Sequence, residues 1–290
     1  MTRFLDLRLR PVGGELSHQV AINQGTSIAD YTGLSIAQLL EDIRGRHVLI
    51  GTHGFNVGRE HGIVCLSNWE GLLQFTAPSV FVGLLWPGDS IWLHGLDYPQ
   101  EPKIADDAGQ LIAPFLDANF QGAASLSFVS HSLGARVVLE TVSRLNLPVR
   151  RVMLMAGAID DDCLNAEFQA VAAKVEKISV LASKKDKVLS LAFPLGDLAG
   201  GIIAAGHPWW RSALGRTGPS TLAPASFQAP FGIPDNWNFD HGNYLEIDAP
   251  PVPVLPLPTD VPPNGTPEPA GGANGWSEAF TAAFCSTRFQ

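Results

Sequence analysis

Residues 128–136 read Phe-Val-Ser-His-Ser-Leu-Gly-Ala-Arg, and this stretch decides the fold. The apolar run 126–129 is typical of a buried strand, and the residues after Gly134 have the apolar spacing of a helix. A strand, a tight turn and a helix in this order predict a sharp bend that exposes the hydroxyl of Ser132. Small residues must flank such a serine, and Ser130 stands where glycine is usual. The alternative is that Ser132 only caps the following helix.

The composition is that of a globular protein. With 290 residues, 46% hydrophobic and 16% charged, the chain can form one large domain or two small ones. A formal charge of -9 without a basic cluster argues against nucleic-acid binding. Three widely spaced cysteines give neither a disulfide framework nor a metal-binding pattern, so we expect no metal. The N-terminus lacks the apolar core of a signal peptide, which favours a cytoplasmic location. The oligomeric state is not indicated.

Short apolar runs alternate with helical patterns along most of the chain. The predicted strands are 3–10, 19–24, 47–51, 80–86, 126–130, 151–155 and 178–181, and the predicted helices are 35–43, 66–75, 104–120 and an elbow helix ending at 145, with a further helix starting at 160–162. This order predicts an α/β fold with a mostly parallel sheet and helices on both faces. Ligands of such sheets bind at the carboxyl ends of the strands, where the turns after 51, 129 and 181 fall.

Two regions depart from this alternation. Residues 189–235 are rich in glycine, proline, tryptophan and phenylalanine, and we expect a lid or cap-like insertion there. The apolar run 188–206 is interrupted by proline, aspartate and glycine, so we do not expect it to span a membrane. The main domain is then 1–249, and 250–290 form a proline-rich strap and a C-terminal helix.

A catalytic serine needs a base. His241 lies in the polar and aromatic sequence Trp-Asn-Phe-Asp-His-Gly-Asn-Tyr, in a loop from which its imidazole can reach Ser132. We therefore choose His241 as the base, with His207 as the runner-up. His131 is beside the serine and is expected to point away from the pocket.

The base in turn needs an acid that orients it. Asp186 follows the last predicted core strand and lies between the serine and the histidine in the chain, as this class of triad requires. Its alternative role is a solvated carboxylate among lysines. The aspartates at 160–162 are the main rivals, and Asp240 is too close in sequence to His241 to orient it easily.

Acyl transfer also needs donors for the oxyanion. The N–H of Leu133, directly after the nucleophile, is one. The sequence Ile-Gly-Thr-His-Gly-Phe-Asn at 50–56 follows an early strand, and we choose the N–H of Phe55 as the second donor because Gly54 permits a sharp turn. The alternative is a plain glycine-rich turn. The chain contains no phosphate-loop motif.

Together these motifs resemble the α/β-hydrolase superfamily, in particular a bacterial branch of it. The resemblance covers about 45–245 and rests on His-Gly-Phe-Asn at 53–56, Trp-Pro-Gly at 86–88, Ser-His-Ser-Leu-Gly at 130–134 and Asp-His-Gly at 240–242. It implies a mostly parallel sheet of about eight strands, or a trimmed version of it. It also implies a triad and an oxyanion hole, formed by Ser132, Asp186, His241 and the amides of Phe55 and Leu133.

The activity that the resemblance implies is hydrolysis of carboxylic esters through an acyl-enzyme, as in an esterase or a lipase, with no cofactor. The substrate would be a small-molecule or lipid ester. Aromatic residues between the acid and the end of the domain offer a hydrophobic pocket, although they equally fit an ordinary core; those chosen as substrate-binding are Trp209, Trp210 and Trp237. The alternatives are an amidase, a thioesterase or an acyltransferase with the same triad, or a non-catalytic binding protein that retains the fold.

Overall fold

Nine strands form one sheet in the part of the chain that the computed structural model describes, which is residues 1–13, 15–73, 78–89, 101–190, 212–219, 231–233, 235 and 238–245. The strands are β1 (Thr2–Arg8), β2 (Leu16–Gly25), β3 (Thr32–Gly33), β4 (His47–Thr52), β5 (Ser79–Leu85), β6 (Ser125–His131), β7 (Val149–Met155), β8 (Val175–Ala182) and β9 (Phe231–Gly232). The helices are α1 (Ile36–Ile43), α2 (Arg59–Leu72), α3 (Glu101–Asn119), α4 (Gly134–Arg144), α5 (Gln169–Lys174) and α6 (Leu214–Thr217), and His241–Leu245 form a 3₁₀ helix.

The sheet is mostly parallel, as the sequence predicts. Its strand order is β3-β2-β1-β5-β4-β6-β7-β8-β9, with β4 at the centre. Only the pairs β1–β2 and β2–β3 are antiparallel, and every other neighbouring pair is parallel. The carboxyl ends of β4, β5, β6, β7 and β8 therefore lie along one edge, and the turns that follow them meet there.

Helices cover both faces of the sheet, which also agrees with the prediction. Consecutive strand residues point to opposite faces. A side chain at Gly51 would meet Phe81 and Trp69 of α2, whereas the methyl group of the next residue, Thr52, lies against Gly134 at the start of α4. The two helices thus pack on opposite sides of β4, and both faces of the central strands are buried.

Three details of the sequence prediction are corrected. Helix α2 begins at Arg59, well before the predicted start at 66. The aspartates at 160–162 do not begin a helix. Asp160 pairs with Ala213 in a β-bridge, and the N–H of Asp161 donates to the carbonyl of Ser212 at 3.0 Å. Because these backbone groups are bonded to the segment at 212–213, the aspartates form a turn, and α5 starts only at Gln169. The two-residue strands β3 and β9 were not predicted; they are too short to show a pattern.

The described parts of 189–235 pack on the sheet. Leu214 of α6 is fully buried, and its N–H donates to Ile159 O at 2.8 Å. Strand β9 pairs with the end of β8. The rest of the predicted lid, most of 188–206 and the strap and helix at 250–290 lie outside the described residues. Among the described helices, none combines the length and the apolar character needed to cross a bilayer.

Gly215 should be essential for docking α6, because an added methyl group would lie 2.1 Å from the carbonyl carbon of Ala156. We expect Gly215→Ala to lower the free energy of unfolding by about 1–3 kcal/mol or more, as overpacking does. Urea denaturation measures this loss. Gly71→Ala in α2 is the control: its methyl group meets no atom of the described residues within 4 Å, and the substitution should be neutral or stabilise by about 0.5–1 kcal/mol. Equal stability of the two variants would contradict the packing described here.

Candidate active site

The elbow, defined as residues 130–134, holds Ser132 in a backbone conformation that residues other than glycine rarely adopt. Its φ is 52°, in the left-handed region. Two hydrogen bonds stabilise this conformation: Ser132 N donates to the carbonyl of Met155, the last residue of β7, at 2.9 Å, and Ala158 N in the turn that follows donates to Ser132 O at 3.2 Å. Non-glycine residues in this region cost of order 1–3 kcal/mol and persist where the surroundings fix them.

The space around the elbow explains its small residues. A methyl group at Gly134 would lie 2.5 Å from the carbonyl oxygen of His53, so only glycine fits there. Ser130, which replaces the usual glycine, is fully buried between its strand partners Thr52 and Leu154, and its hydroxymethyl group is accommodated. The N-cap residue of α4 is Leu133, and in the described part of the chain no side chain caps this helix. The capping role considered for Ser132 is therefore not what the structure shows.

The structure brings Ser132, His241 and Asp186 together in one chain of hydrogen bonds. The distance from Ser132 Oγ to His241 Nε2 is 2.9 Å, and His241 Nδ1 lies 2.7 Å from Asp186 Oδ2. A carboxylate can only accept, so the proton of the neutral imidazole is on Nδ1. The lone pair of Nε2 is then directed at the serine hydroxyl, which is the arrangement required for proton removal from a nucleophile.

Asp186 is buried although lysines surround it in the sequence. Its side chain is 0% exposed, while Lys184, Lys185 and Lys187 are exposed. The second carboxylate oxygen accepts the N–H of Leu189 at 2.8 Å. The description of Asp186 as a solvated turn carboxylate therefore does not apply. The structure places the rival aspartates at 160–162 in the turn after β7, and the carboxylate bonded to His241 Nδ1 is that of Asp186.

The turn that carries His241 is bonded to the turn that carries Asp186. Asp240 accepts the N–H of Lys187 at 2.9 Å and the N–H of His241 at 2.8 Å, and its other oxygen lies 3.4 Å from Lys187 Nζ. Partial burial of Asp240 opposes its charge, but these donors outweigh burial and lower its pKa. Asp240 thus joins the backbone of the Asp186 turn to the backbone of the His241 turn, and the imidazole itself is oriented by Asp186. Ser183 Oγ also donates to the carbonyl of Phe239 at 2.6 Å.

His131 has a place that the sequence prediction did not foresee. We expected it to point away from the pocket, yet its Nε2–H donates to the carbonyl of His241 at 2.9 Å, and the two ring centroids are 4.8 Å apart. The same 3₁₀ helix is also bonded to α2, where Trp69 Nε1 donates to Tyr244 O at 3.1 Å. The 3₁₀ helix is therefore held from the elbow and from α2 together.

The 53–58 turn passes directly over the elbow. A methyl group at Gly54 would lie 2.7 Å from Ser132 Cβ, so the turn and the nucleophile are in close contact at this point. The role of the Phe55 amide as an oxyanion donor stays a prediction. Asn56 has a φ of 59° and donates its N–H to Gly88 O at 2.6 Å. The N–H of Leu133 donates to no residue in the part of the chain that the structure describes.

Two buried histidines around the site are neutral. Burial lowers the pKa of His53 to about 3, and burial, followed by the electrostatic influence of the nearby His241 imidazole, holds the pKa of His131 well below its ordinary value. His53 stacks on Trp86 with ring centroids 5.9 Å apart, and its carbonyl accepts Trp86 Nε1–H at 2.9 Å. These imidazoles shape the site as uncharged groups.

Other predicted site residues cannot be placed. Trp209, Trp210 and Trp237, chosen as substrate-binding, and His207, the alternative base, lie outside the described residues. Within the described ranges, no group of three or more histidine, cysteine, aspartate or glutamate side chains could hold a metal ion.

Sequence reasoning missed the buried ion pair between Arg8 and Asp89 behind the 53–58 turn. The signal was weak. Alternating apolar and charged residues at the N-terminus indicated a strand, and Asp89 directly follows the Trp-Pro-Gly motif, but nothing in the sequence linked the two.

Comparison with protein families supports the fold assignment. A model of the family described as "Alpha/beta hydrolase of unknown function (DUF900)" matches residues 30–219, more than half of the chain. The chain belongs to this α/β-hydrolase family. The superfamily predicted from the elbow and the other motifs is thereby confirmed. Comparison with curated proteins gives no match.

Several solved structures are similar to this α/β-hydrolase at low identity. Esterase PE8 is 17% identical with a TM-score of 0.35, over 56% of this chain and 80% of that one. Inhibited esterase B from Lactobacillus rhamnosis is 11% identical with a TM-score of 0.36, over 71% of this chain and 72% of that one. Phospholipase PlaB from Legionella pneumophila with thio-NAD is 13% identical with a TM-score of 0.29, over 48% of this chain and 37% of that one.

The neutral state of His131 predicts how stability depends on pH. The unfolded chain binds a proton at this residue below about pH 6.5, whereas the folded protein does not, so stability falls as the pH falls through this window. His131 should contribute about 1.4 kcal/mol per pH unit well below pH 6.5. His131→Gln keeps a donor near the position of Nε2 but does not titrate. Urea unfolding of both proteins between about pH 7.5 and 5.5 should show a shallower loss in the variant; identical slopes would mean that His131 is charged in the folded state.

Proposed function

We propose that the protein hydrolyses carboxylic esters through an acyl-enzyme on Ser132. The observation that carries this proposal is the continuous hydrogen-bond chain from Ser132 Oγ through His241 to the buried Asp186, with both links below 3 Å. His241 is the base, and Asp186 fixes its tautomer and stabilises the imidazolium that forms. Membership in an α/β-hydrolase family supports hydrolysis as the reaction class.

In the first half-reaction, Ser132 Oγ attacks the ester carbonyl carbon while His241 Nε2 takes the hydroxyl proton. The carbonyl oxygen becomes an oxyanion, which accepts the N–H groups of Phe55 and Leu133 in our assignment. Collapse of the tetrahedral intermediate breaks the bond to the alcohol oxygen, and His241 gives its proton to the departing alcohol. Water then attacks the acyl-enzyme and gives a proton to His241. As the second tetrahedral intermediate collapses, the bond to Ser132 Oγ breaks, His241 returns this proton to the serine, and the acid is released.

Other acyl substrates would use the same groups. An amide, a thioester or an acyl acceptor other than water needs no different triad, so an amidase, a thioesterase and an acyltransferase are alternatives within the proposal. A binding protein that retains only the fold has no need of a serine in a left-handed conformation bonded to an imidazole, and this geometry favours catalysis over binding. The class of ester, small molecule or lipid, and the cytoplasmic location remain predictions from the sequence.

Replacing the nucleophile tests the proposal. Ser132→Ala should lower kcat for p-nitrophenyl esters by about 10³-fold or more, because both attack and acyl transfer are lost. The acyl chain should be varied from short to long, since activity restricted to short chains indicates an esterase and long-chain activity a lipase. Ser127→Ala is the control: it removes another buried hydroxyl of β6 that has no partner in the described part of the chain, and should leave kcat unchanged.

Each result bears on a separate part of the proposal. Full activity in Ser132→Ala would remove the assignment of the nucleophile. An inactive wild type, tested on esters, thioesters and amides, would instead favour the binding protein.

The oxyanion assignment predicts a steric effect at Gly54. The methyl group of Gly54→Ala would press on Ser132 Cβ and force the 53–58 turn away from the elbow. A displacement of about 1 Å can cost on the order of 10²-fold in rate, so kcat should fall by about that factor. Gly58→Ala in the same turn is the control, because the nearest atom among the described residues, Asp89 Oδ2, would lie at an ordinary 3.5 Å from its methyl group. Steady-state kinetics of the two variants decide the matter, and equal kcat values would exclude a close approach of the turn to the nucleophile.

A further inference from the structure

Arg8, at the end of β1, uses every donor of its guanidinium group although its side chain is fully buried. Nη1 donates to Val57 O at 3.0 Å and to Trp86 O at 2.9 Å. Nη2 donates to Asp89 Oδ1 and to Pro11 O, the latter at 3.2 Å, and Nε donates to Arg10 O at 3.4 Å. A planar group with five donors in fixed directions is the side chain suited to such a position.

These bonds connect three separate turns. Val57 belongs to the 53–58 turn, Trp86 and Asp89 belong to the turn after β5, and Pro11 belongs to the turn after β1. Asp89 completes the set by accepting the N–H of Gly13 at 3.2 Å with its second oxygen. The two charges are therefore paired and hydrogen-bonded, which is the condition under which buried charges are tolerated.

The 53–58 turn is bonded to the same region at further points. Its Asn56 N–H donates to Gly88 O at 2.6 Å, next to Asp89. Where the turn enters α2, Arg59 Nη2 donates to Arg8 O at 3.0 Å, and Arg59 Nε lies 2.8 Å from Asp6 Oδ2. The turn is thus held from Asn56 to Arg59 by groups of β1 and of the turn after β5, while Gly54, nearer its start, meets Ser132 Cβ.

We propose that Arg8 and Asp89 are positioning residues for catalysis, which hold the 53–58 turn at the distance from Ser132 that the oxyanion requires. This inference rests on the proposed function. Neither residue touches the triad; they act through the backbone of Val57 and through the turn after β5. Removal of one oxyanion donor from an enzyme of this kind costs about 10²–10³-fold in kcat, and displacement of the donor is expected to cost less.

Arg8→Lys is the variant of choice, because it keeps the charge beside Asp89 but cannot reach Val57 O, Trp86 O and Asp89 at once. We expect kcat for a p-nitrophenyl ester to fall by about 10- to 100-fold with KM nearly unchanged, since the lost interaction acts in the transition state. The pH dependence of kcat/KM should keep the apparent pKa of the wild type, because the histidine and its acid are untouched.

Two controls separate positioning from stability. Arg3→Lys changes another arginine of β1, whose Nε lies 2.9 Å from Asp42, and Leu39→Ala removes buried side-chain atoms from α1. Both should keep the wild-type kcat per folded molecule, even where thermal unfolding shows that Leu39→Ala is as unstable as Arg8→Lys.

Amide hydrogen exchange gives a readout that does not depend on activity. In Arg8→Lys, exchange at Asn56, measured relative to β4, should accelerate at least about tenfold as the turn loosens, and should stay unchanged in both controls. Unchanged exchange at Asn56, or a kcat that falls no more than in Leu39→Ala, would overturn the inference. An inactive wild type would count against the proposed function alone, because exchange at Asn56 would still decide whether Arg8 fixes the turn.

Discussion

A left-handed residue between β6 and α4 is the constraint to which the rest of the site is adjusted. Ser132 has a φ of 52°, and its N–H and carbonyl are both hydrogen-bonded, to Met155 at the end of β7 and to Ala158 in the turn that follows. The helix that follows must then start against the backbone of His53, which only a glycine at 134 permits. One unfavourable backbone conformation thus fixes the mutual positions of β4, β6 and β7 at their carboxyl ends.

The remaining groups reach Ser132 because parallel strands end at one edge. Asp186 comes from the turn after β8, and His241 comes from a 3₁₀ helix far along the chain. Hydrogen bonds that involve backbone atoms fix the positions of both residues. Burial of Asp186 keeps water from competing for its hydrogen bond with His241. Reorganisation during the reaction is small when donors and acceptors are fixed in this way, which is the main source of electrostatic stabilisation in enzymes.

Much of this arrangement could be predicted from the sequence. The elbow was readable because a strand, a tight turn and a helix adjoin in sequence, and chain order then selected Asp186 and His241. Contacts between distant segments could not be predicted: nothing in the N-terminal strand pattern showed that Arg8 would face Asp89, or that His131 would bond the carbonyl of His241. The turn at 160–162 was mistaken for a helix start because its backbone partners, Ser212 and Ala213, lie far along the chain.

Covalent labelling with a fluorophosphonate tests the central claim most directly, because the reagent reacts with serines that are activated by a neighbouring base. Mass spectrometry of the digested protein should locate a single phosphonyl group on Ser132. His241→Gln should label far more slowly, because the base is lost. An unlabelled wild-type protein, or a label on another serine while Ser132 stays unmodified, would contradict the proposal that Ser132 is an activated nucleophile.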